Sequence, residues 1–383
     1  MKFAIIGSRG FPSNYSGFET LVQHLAPHLR DSGHEVTVYS RGGAGRRRVD
    51  SHEGIRRIRT RGRDGKSTST LSYGLTSVLD SRRRGYDAAL ILNVANGFHL
   101  PMLRQAGIPT ALNVDGIEWE RDKWSRLGKA VFKSGARLSA KYADRLIADS
   151  QAISRYWLER FGAPSVFIPY GGDVLHDIGS GRLDTLGLAP GRYLLAVARM
   201  VPENNIDLLL DAVQCLDPAV PVVIAGSANY RSPLEGRLRQ MTLARPALRW
   251  LGHVDDQALL QQLWAHCGGY FHGHSVGGTN PSLLQALGAG SPVLAVDTVY
   301  NREVLGGGEQ VFSRNPIEVA TRFDAMLADA ALRQAYARRG RSIVAERYRW
   351  DDVCQRYEDV LVDLAASQAA AHLPRPSRRA ATQ

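Results

Sequence analysis

Cysteine is scarce in this chain of 383 residues, which contains three. Cys215, Cys267 and Cys354 lie far apart and form no C-x-x-C pair. A disulfide framework and a zinc site both depend on closely grouped cysteines, so the sequence argues against either. We expect three reduced thiols in or near the core.

Long hydrophobic runs are also lacking. No stretch approaches the ~20 apolar residues that a membrane-spanning helix requires. The first residues, MKFAIIGSRG, enter a β-strand without the apolar core of a signal peptide. Both absences predict a cytoplasmic protein.

Acidic residues are too few to balance the basic ones, and this shortage is confined to the first half. Residues 1–170 contain 27 Lys and Arg against 15 Asp and Glu, and residues 171–383 contain 21 against 22, which gives the net charge of +11. A one-sided positive field attracts the phosphates of nucleic acid, an anionic bilayer or a diphosphate-bearing substrate. A solvated, arginine-rich surface is the alternative.

What the sequence does contain is an alternation of apolar, strand-like runs with amphipathic helical stretches. KFAIIG, HEVTVYS, AALILN and RLIADS are followed in the second half by RYLLAVA, PVVIAG, GGYFHG and PVLAVD. The pattern predicts an α/β protein with two doubly wound domains, residues 1–170 and 171–348. Residues 349–366 are predicted to form a helix, 367–383 a disordered tail, and 42–70 an exposed excursion.

The stretch IIGSRGFPSNYSGFET runs from a buried strand into a helix, but its glycine spacing does not fit G-x-G-x-x-G. Ser16 and Glu19 fit an S-x-x-E capping box, which places Gly17 in the first helical turn. Gly17 has no side chain to exclude a ligand, so free N–H groups and the helix dipole can meet a phosphate there. A tight turn against the next strand is the alternative.

A second helix opening occurs in HGHSVGGTNPSLLQALGAG, residues 272–290. Asn280 fits an N-cap and Pro281 the first helical position, and Gly277 and Gly278 leave the preceding turn bare. Two such helix ends, one from each domain, suit a diphosphate bound in an interdomain cleft at the carboxyl ends of the strands.

Four motifs together resemble glycosyltransferase family 4 of the GT-B fold, and more narrowly its rhamnosyltransferase-like branch. They are IGSRGFPSNYSGFET, NVDGIEWERDKW at 113–124, VARMVPENNIDLLLDA at 197–212, and GHSVGGTNPSLLQALGAGSPVLAVDTVYNREVL at 273–305. The resemblance extends over about residues 1–365. It implies two Rossmann-like domains that face a cleft, with the nucleotide-sugar donor in the second domain, the acceptor on the first, and the 349–366 helix crossing back.

The resemblance also assigns donor-side roles. The phosphate-binding arginine of the family falls on Arg199, whose planar fork suits a departing diphosphate. Asn204 stands where most of the family has lysine, and Gly277 and Gln285 stand where it has two glutamates eight apart. The branch generally keeps the second glutamate, so Gln285 is the more telling departure. The predicted donor-binding residues are Gly17, Arg199, Asn204, His274, Gly278, Thr279, Asn280 and Gln285.

Two acids, together with Arg199, complete the predicted catalytic set. Asp115 follows the strand TALNV, where it could orient or deprotonate the acceptor hydroxyl, and Glu203 could bind a donor hydroxyl. Capping of a helix or turn is the alternative for each acid. No D-x-D is present, and His272 with His274 offers no third ligand, so we expect no metal. Glu118 and Glu120 are predicted to be surface or acceptor-side polar groups and not metal ligands.

Basic residues recur every three or four positions through KWSRLGKAVFKSGARLSAKYADR. On a helix they would form one cationic stripe able to rest on anionic lipid at about 1 kcal/mol per cation. A nucleic-acid surface is the rival, but no recognised nucleic-acid module accompanies the charge, so we expect none to bind. The stripe consists of Lys123, Arg126, Lys129, Lys133, Arg137, Lys141 and Arg145.

The sequence therefore predicts a retaining, metal-independent glycosyltransferase at the inner face of the cell membrane. The donor expected is dTDP-rhamnose, bound as a substrate with no other cofactor, and the acceptor a lipid-linked saccharide or oligosaccharide. A transferase of UDP- or GDP-sugars is one alternative. A catalytically degenerate nucleotide-sugar-binding protein is another, because both family glutamates are absent.

Overall fold

A computed structural model describes residues 1–13, 17–42, 48–65, 68–121, 124–228 and 232–372. Within these ranges the chain forms two α/β halves, each built on one twisted sheet. The strands of the first half alternate with helices, as the apolar runs predict.

The first half is built on an eight-stranded sheet with the order β3-β4-β2-β1-β5-β6-β7-β8, in which only the β3-β4 pair is antiparallel. Its strands are β1 Lys2–Ile6, β2 Glu35–Arg41, β3 Arg48–His52, β4 Ile55–Thr60, β5 Ala88–Leu92, β6 Thr110–Asn113, β7 Arg145–Ala148 and β8 Ser165–Phe167. Its helices are α1 Gly17–Asp31, α2 Ser69–Ser81, α3 Leu100–Gln105, α4 Arg126–Tyr142 and α5 Gln151–Phe161.

The second half is built on a parallel sheet with the order β11-β10-β9-β12-β13-β14. Its strands are β9 Leu194–Val197, β10 Val222–Ala225, β11 Leu248–Gly252, β12 Gly269–His272, β13 Val293–Val296 and β14 Val311–Phe312. The helices from here to the end of the described chain are α6 Gly181–Asp184, α7 Ile206–Cys215, α8 Pro233–Ala244, α9 Gln257–His266, α10 Pro281–Ala289, α11 Val299–Leu305, α12 Pro316–Ala328, α13 Ala330–Arg347 and α14 Trp350–His372.

The predicted exposed excursion at 42–70 contains two strands instead. β4 pairs with β2 and buries Ile55 and Ile58, while β3 covers its outer edge. The prediction was wrong because the three arginines of IRRIRT conceal a strand whose two isoleucines lie three positions apart and give no alternating pattern. Ile55 and Ile58 lie on opposite faces of β4 and belong to different apolar clusters, so the strand packs on both sides while its arginines stay partly exposed.

The last helix, α14, crosses from the second half to pack on α1 of the first, as the resemblance implies. Trp350 stacks on His24 with ring centroids 4.0 Å apart, and Tyr357 Oη accepts a hydrogen bond from Asn113 Nδ2 at 2.6 Å. The helix continues to His372, six residues beyond the predicted end. Residues 367–372 were wrongly assigned to a disordered tail, since SQAAAH has high helix propensity.

Candidate functional site

A cleft of about 1090 Å³ lies between the carboxyl ends of the two sheets. Parallel α/β sheets bind ligands at this edge because loops from several strands converge there. Among the polar side chains that line the cleft are Arg9, Arg41, Asn93, Asp115 and Asp149 from the first half and Arg199, His272, His274 and Gln285 from the second.

Two helix N-termini open onto this cleft, one from each half. Gly17 is the first residue of α1, and a Cβ atom there would lie 3.1 Å from the Tyr170 ring and 3.3 Å from Pro281 Cγ. Asn280 caps α10 as predicted, its Oδ1 accepting from Ser282 N at 2.9 Å. The positive ends of both helix dipoles therefore face the same space. Ser16 lies outside the described residues.

Arg199 follows β9 and exposes its side chain in the cleft. Behind it, Asn204 Nδ2 donates to the Arg199 carbonyl at 2.8 Å, and Asn204 Oδ1 lies 2.8 Å from His274 Nδ1. Because the amide nitrogen already donates, the oxygen must accept, so we assign the proton of His274 to Nδ1. Asn204 thus positions Arg199 and His274 and does not replace the charge of a lysine.

Both histidines of the H-x-H pair are neutral. Burial, followed by the charges of Arg121, His272 and Arg199, lowers the pKa of His274 well below its usual value, and burial lowers the pKa of His272 to about 3. With its proton on Nδ1, His274 keeps Nε2 as an acceptor, and the residue lines the cleft. His272 Nε2 is buried and makes no hydrogen bond to any described residue.

The glycine turn before α10 approaches the first half closely. A Cβ atom on Gly116 would lie 2.7 Å from Gly277 Cα, and one on Gly278 would lie 1.8 Å from Asp149 Oδ1. Thr279 Oγ1 donates to the carbonyl of Asp149 at 2.5 Å. Larger side chains at these glycines would force the halves apart.

Solved structures with the same arrangement cover nearly the whole chain. The Anabaena protein HepE in complex with UDP has a TM-score of 0.74 at 18% identity, covering 95% of this chain and all of that one. Sucrose-phosphate synthase from Thermosynechococcus elongatus has a TM-score of 0.79 at 17% identity, covering 96% and 99%. At such identities the likeness establishes the fold.

Two family models match the two halves in order. Residues 16–171 match the model described as Glycosyl transferase 4-like domain, and residues 188–343 match Glycosyl transferases group 1. The chain belongs to the GT-B glycosyltransferases. The family predicted from the four motifs is thereby confirmed.

Curated relatives of this GT-B protein include phosphatidyl-myo-inositol mannosyltransferases of mycobacteria. That of Mycobacterium leprae is 29% identical over 243 residues, which is 58% of this chain and 59% of the relative. That of Mycobacterium tuberculosis H37Rv is 30% identical over 238 residues, 58% of this chain and 60% of the relative. The chain therefore spans about three fifths of the length of these relatives.

Arg121 is one of several cleft residues of this GT-B protein that sequence reasoning missed; the others include Arg9, Arg41, Asn93 and Asp149. Its buried guanidinium lies 2.6 Å from Glu118 Oε1, and its Nη1 lies 3.7 Å from Glu203 Oε1 in the other half. Opposite charges hold the pKa of Arg121 above its usual value despite burial. The residue gave no local signal beyond the acids in EWER, because its second partner lies 82 positions away in the chain.

Two predicted acids need correction. Glu118 is buried and accepts a hydrogen bond from Trp124 Nε1 at 2.9 Å, so it is not a surface group. Glu203 faces Arg121 and is absent from the lining of the cleft, so the structure gives no support to a donor contact. Its carboxylate oxygens are buried and make no hydrogen bond to the described residues.

Asp115 stands at the carboxyl end of β6 with φ of 58°, in the left-handed region. Its N–H donates to Asn113 Oδ1 at 2.9 Å, and its Oδ2 accepts from Asn93 Nδ2 at 3.5 Å. Asn93, which follows β5, also has a positive φ of 73°. Such strained backbone at adjacent strand ends is common at functional sites.

Of the other predicted donor-side residues, Gln285 is half-buried on α10 and lines the cleft, as do Gly278, Thr279 and Asn280. The Thr279 hydroxyl already donates to the first half, so it contributes to the interdomain contact. Ligand contacts at these positions remain predictions.

The predicted cationic stripe lies on α4. Arg126, Arg137 and Lys141 are exposed, and Lys129 and Lys133 are half-buried, on the side away from the core. Arg145 belongs to β7 and not to this helix, and Lys123 lies outside the described residues. Leu127, 76% exposed, stands beside the stripe at the mouth of the cleft.

A cluster of metal-ligating side chains and a helix suited to cross a membrane are both absent from the described part of the chain. No group of three or more His, Cys, Asp or Glu side chains is placed to hold a metal ion. None of its helices is both long enough and apolar enough to cross a membrane.

Proposed function

We propose that this protein transfers a sugar from a nucleoside-diphosphate donor to an acceptor hydroxyl, with retention of anomeric configuration. The observation that carries the proposal is the meeting of two helix N-termini, at Gly17 and Pro281, beside the exposed side chain of Arg199. Two positive dipole ends and one arginine complement the two negative charges of a departing diphosphate.

The reaction breaks the bond between the anomeric carbon and the diphosphate oxygen and forms a bond from that carbon to the acceptor oxygen. Arg199 stabilises the negative charge that develops on the leaving diphosphate. His274 Nε2, a neutral acceptor, binds a hydroxyl of the donor sugar. Asp115 orients the acceptor hydroxyl, whose proton passes to Asp115 or to the leaving phosphate as the new bond forms.

The donor we propose to test first is dTDP-rhamnose. A deoxyribose presents one hydroxyl fewer than ribose, so Gln285 in place of a carboxylate costs a dTDP donor less than a UDP or GDP donor. A mannosyl donor is the alternative favoured by the curated relatives, and a UDP-sugar the one favoured by HepE in complex with UDP.

Isothermal titration of dTDP and UDP against wild type and Gln285→Glu separates these donor classes. We expect wild type to prefer dTDP, and Gln285→Glu to improve UDP binding by ~1 kcal/mol while changing dTDP binding little. Tighter binding of UDP than dTDP by wild type would reject the deoxyribose argument. Binding without any release of diphosphate in the presence of acceptors would favour a degenerate, ligand-sensing protein.

We further propose that the acceptor is a lipid-linked saccharide and that the α4 stripe rests on the anionic inner face of the membrane. The exposed cations and Leu127 lie in the acceptor half, where charge and an apolar side chain together favour an interfacial position. Reversing Lys133, Arg137 and Lys141 to Glu should abolish sedimentation with phosphatidylglycerol vesicles at low salt.

The matched control for the stripe reverses three exposed arginines elsewhere, Arg155, Arg160 and Arg338, to Glu. The control should sediment nearly as wild type does. Equal loss in both triple variants would mean that net charge and not the stripe governs binding. Preference for DNA over vesicles at matched salt would favour a nucleic-acid surface.

A further inference from the structure

Two arginines share the acceptor-side end of the cleft, apart from the acids described above. Arg9 follows β1 and exposes its side chain, and Arg41 ends β2; both line the cleft. The Arg41 N–H donates to the Arg9 carbonyl at 3.1 Å, so the two residues are fixed side by side. The fold thus holds two like charges together in a partly enclosed space.

Arg41 is held there at an electrostatic cost. Burial, and next the charge of Arg9, lower its pKa below the usual value, and the acids Glu19 and Asp64 only partly offset this. Glu19 Oε1 accepts from the Arg9 N–H at 2.7 Å, and Asp64 Oδ1 from Tyr73 Oη at 3.0 Å. No carboxylate among the described residues pairs with Arg41 within 4 Å. An anion between the two guanidinium groups would relieve their repulsion.

A helix end adds to this positive field. Helix α2, of 13 residues, begins at the same end of the cleft, and Thr68, Thr70 and Leu71 of its first turn line the cavity. The Ser69 N–H already donates to the Gly65 carbonyl at 3.3 Å, but the positive end of the helix dipole suits an anion. The Arg41 guanidinium is steadied over the Tyr73 ring of α2, 5.6 Å from its centroid.

We propose that Arg9, Arg41 and the N-terminus of α2 form a second anion site, which binds a phosphate group of the acceptor. This inference rests on the proposed glycosyl transfer, because it places that phosphate in the acceptor half and away from the donor diphosphate. Planar guanidinium pairs are well suited to phosphate oxygens.

The sheet order gives the spacing between this site and the reacting hydroxyl. Arg41 ends β2 and Asp115 follows β6, which are three strand positions apart in the order β2-β1-β5-β6. At about 4.8 Å per strand the two sites are separated by roughly 14 Å. Arg9 follows β1, two strand positions from β6, so the acceptor carries its phosphate roughly 10–14 Å from the hydroxyl that reacts, with a saccharide between them.

Titration with inorganic pyrophosphate at low salt tests the site directly. Wild type should bind two equivalents, one at each anion site. Arg9→Gln/Arg41→Gln should bind one, with at least tenfold loss at the other site, and Arg199→Gln should lose the complementary one. Arg155→Gln/Arg160→Gln, which removes the same charge from an exposed face of α5, should bind two.

The outcomes separate the two proposals. A wild-type isotherm from Arg9→Gln/Arg41→Gln would overturn the second anion site, whatever Arg199→Gln shows. Loss of the Arg9 and Arg41 site together with unchanged binding by Arg199→Gln would support the second site and reject the donor proposal. Circular dichroism shows whether the double variant is folded. If it is not, Arg9→Gln alone, in which Arg41 remains on Tyr73, should show a partial loss of pyrophosphate binding.

A vesicle assay distinguishes the source of the phosphate. If the site binds the phosphate of the acceptor, Arg9→Gln/Arg41→Gln should sediment with phosphatidylglycerol vesicles as wild type does. Loss of sedimentation with unchanged pyrophosphate binding would assign the two arginines to bulk lipid headgroups and overturn the proposal.

Discussion

At the scale of single residues, Asp149 is a buried carboxyl whose pKa is shifted strongly by its surroundings. Burial, and then the charges of Asp115 and Glu303, raise its pKa well above the ordinary carboxyl range. In the unfolded chain the carboxyl of an aspartate has a pKa of about 3.9. Because the pKa of Asp149 is higher in the folded protein, its protonation stabilises the fold fully at pH values below about 3.9, and this stabilisation is lost as pH rises through the raised pKa.

Asp149→Asn should therefore be more stable than wild type at pH 8, because the amide has no charge to bury. The difference in free energy of unfolding should shrink as pH falls towards 4, since wild type then becomes neutral as well. Urea unfolding across this range measures it. Asp324→Asn, an exposed site on α12, should show no such trend, and a pH-independent difference at position 149 would contradict the raised pKa.

The side chain of Asp149 also leaves no room for a Cβ atom at position 278, so only glycine fits there. An alanine Cβ would stand 1.8 Å from Asp149 Oδ1 and 2.4 Å from its Cγ, distances that no buried carboxylate can accommodate without movement. We expect Gly278→Ala to weaken nucleotide-sugar binding by about tenfold or more, since overpacking commonly costs 1–3 kcal/mol. Binding titrations measure the loss. The double variant Gly278→Ala/Asp149→Ala lacks the obstructing carboxylate and should recover part of the nucleotide-sugar binding. If it recovers none, the clash with Asp149 is not the cause of the defect.

At the scale of elements, helix α14 connects the second half to the loop that bears Asp115. Tyr357 Oη accepts from Asn113 Nδ2, and Asn113 Oδ1 accepts from the Asp115 N–H. Burial raises the pKa of Tyr357, so the phenol stays protonated at neutral pH. The crossing helix therefore holds the strained backbone of a proposed catalytic residue.

Tyr357→Phe should leave Asn113 Nδ2 buried without this acceptor and reduce stability by ~1–3 kcal/mol. Because the Asp115 loop would loosen, kcat should fall more than the KM for the donor rises. A double-mutant cycle with Asn113→Ala measures the coupling between Tyr357 and Asn113, in the free energy of unfolding and in kcat. Independent, additive effects of the two substitutions would show that the chain of hydrogen bonds does not act as a unit.

Elements whose signals are local were predictable from the sequence. Asn280 and Pro281 mark the start of α10 because capping depends on neighbours two or three positions away. The alternation of apolar runs likewise predicts both sheets. The end of α14 was missed because an alanine-rich tail resembles a linker in composition while favouring helix in propensity.

Features that depend on tertiary contacts were not predictable. Arg121 gains its role only when Glu203 approaches from the other half, and β4 is a strand only because β2 offers it an edge. The site residues chosen from the family resemblance line the cleft in most cases. The carboxylate of Glu203 is the exception, because sequence cannot show whether a side chain faces a cavity or an ion pair.

At the scale of the whole molecule, the two halves meet through several kinds of contact around the cleft. Glycines allow close backbone approach, Arg121 spans to Glu203, and Glu303 of α11 accepts from the N–H of Gln151 at the start of α5, at 2.8 Å. A carboxylate at a helix N-terminus is favoured by the dipole. These contacts hold the two lining surfaces of the cleft opposite each other.

We propose that the cleft transfers sugar from a nucleoside-diphosphate donor and that Arg199 stabilises the departing diphosphate. The rate of nucleoside-diphosphate release from dTDP-rhamnose, UDP- and GDP-sugars, with a lipid-linked saccharide acceptor, tests this most directly. We predict that wild type releases nucleoside diphosphate from one of these donors. Arg199→Ala should release it about 100-fold more slowly, which corresponds to a loss of ~2.7 kcal/mol of transition-state stabilisation. Arg155→Ala should release it at the wild-type rate. Wild-type turnover by Arg199→Ala would contradict the role of Arg199. No release by wild type from any of these donors would contradict the proposed transfer itself.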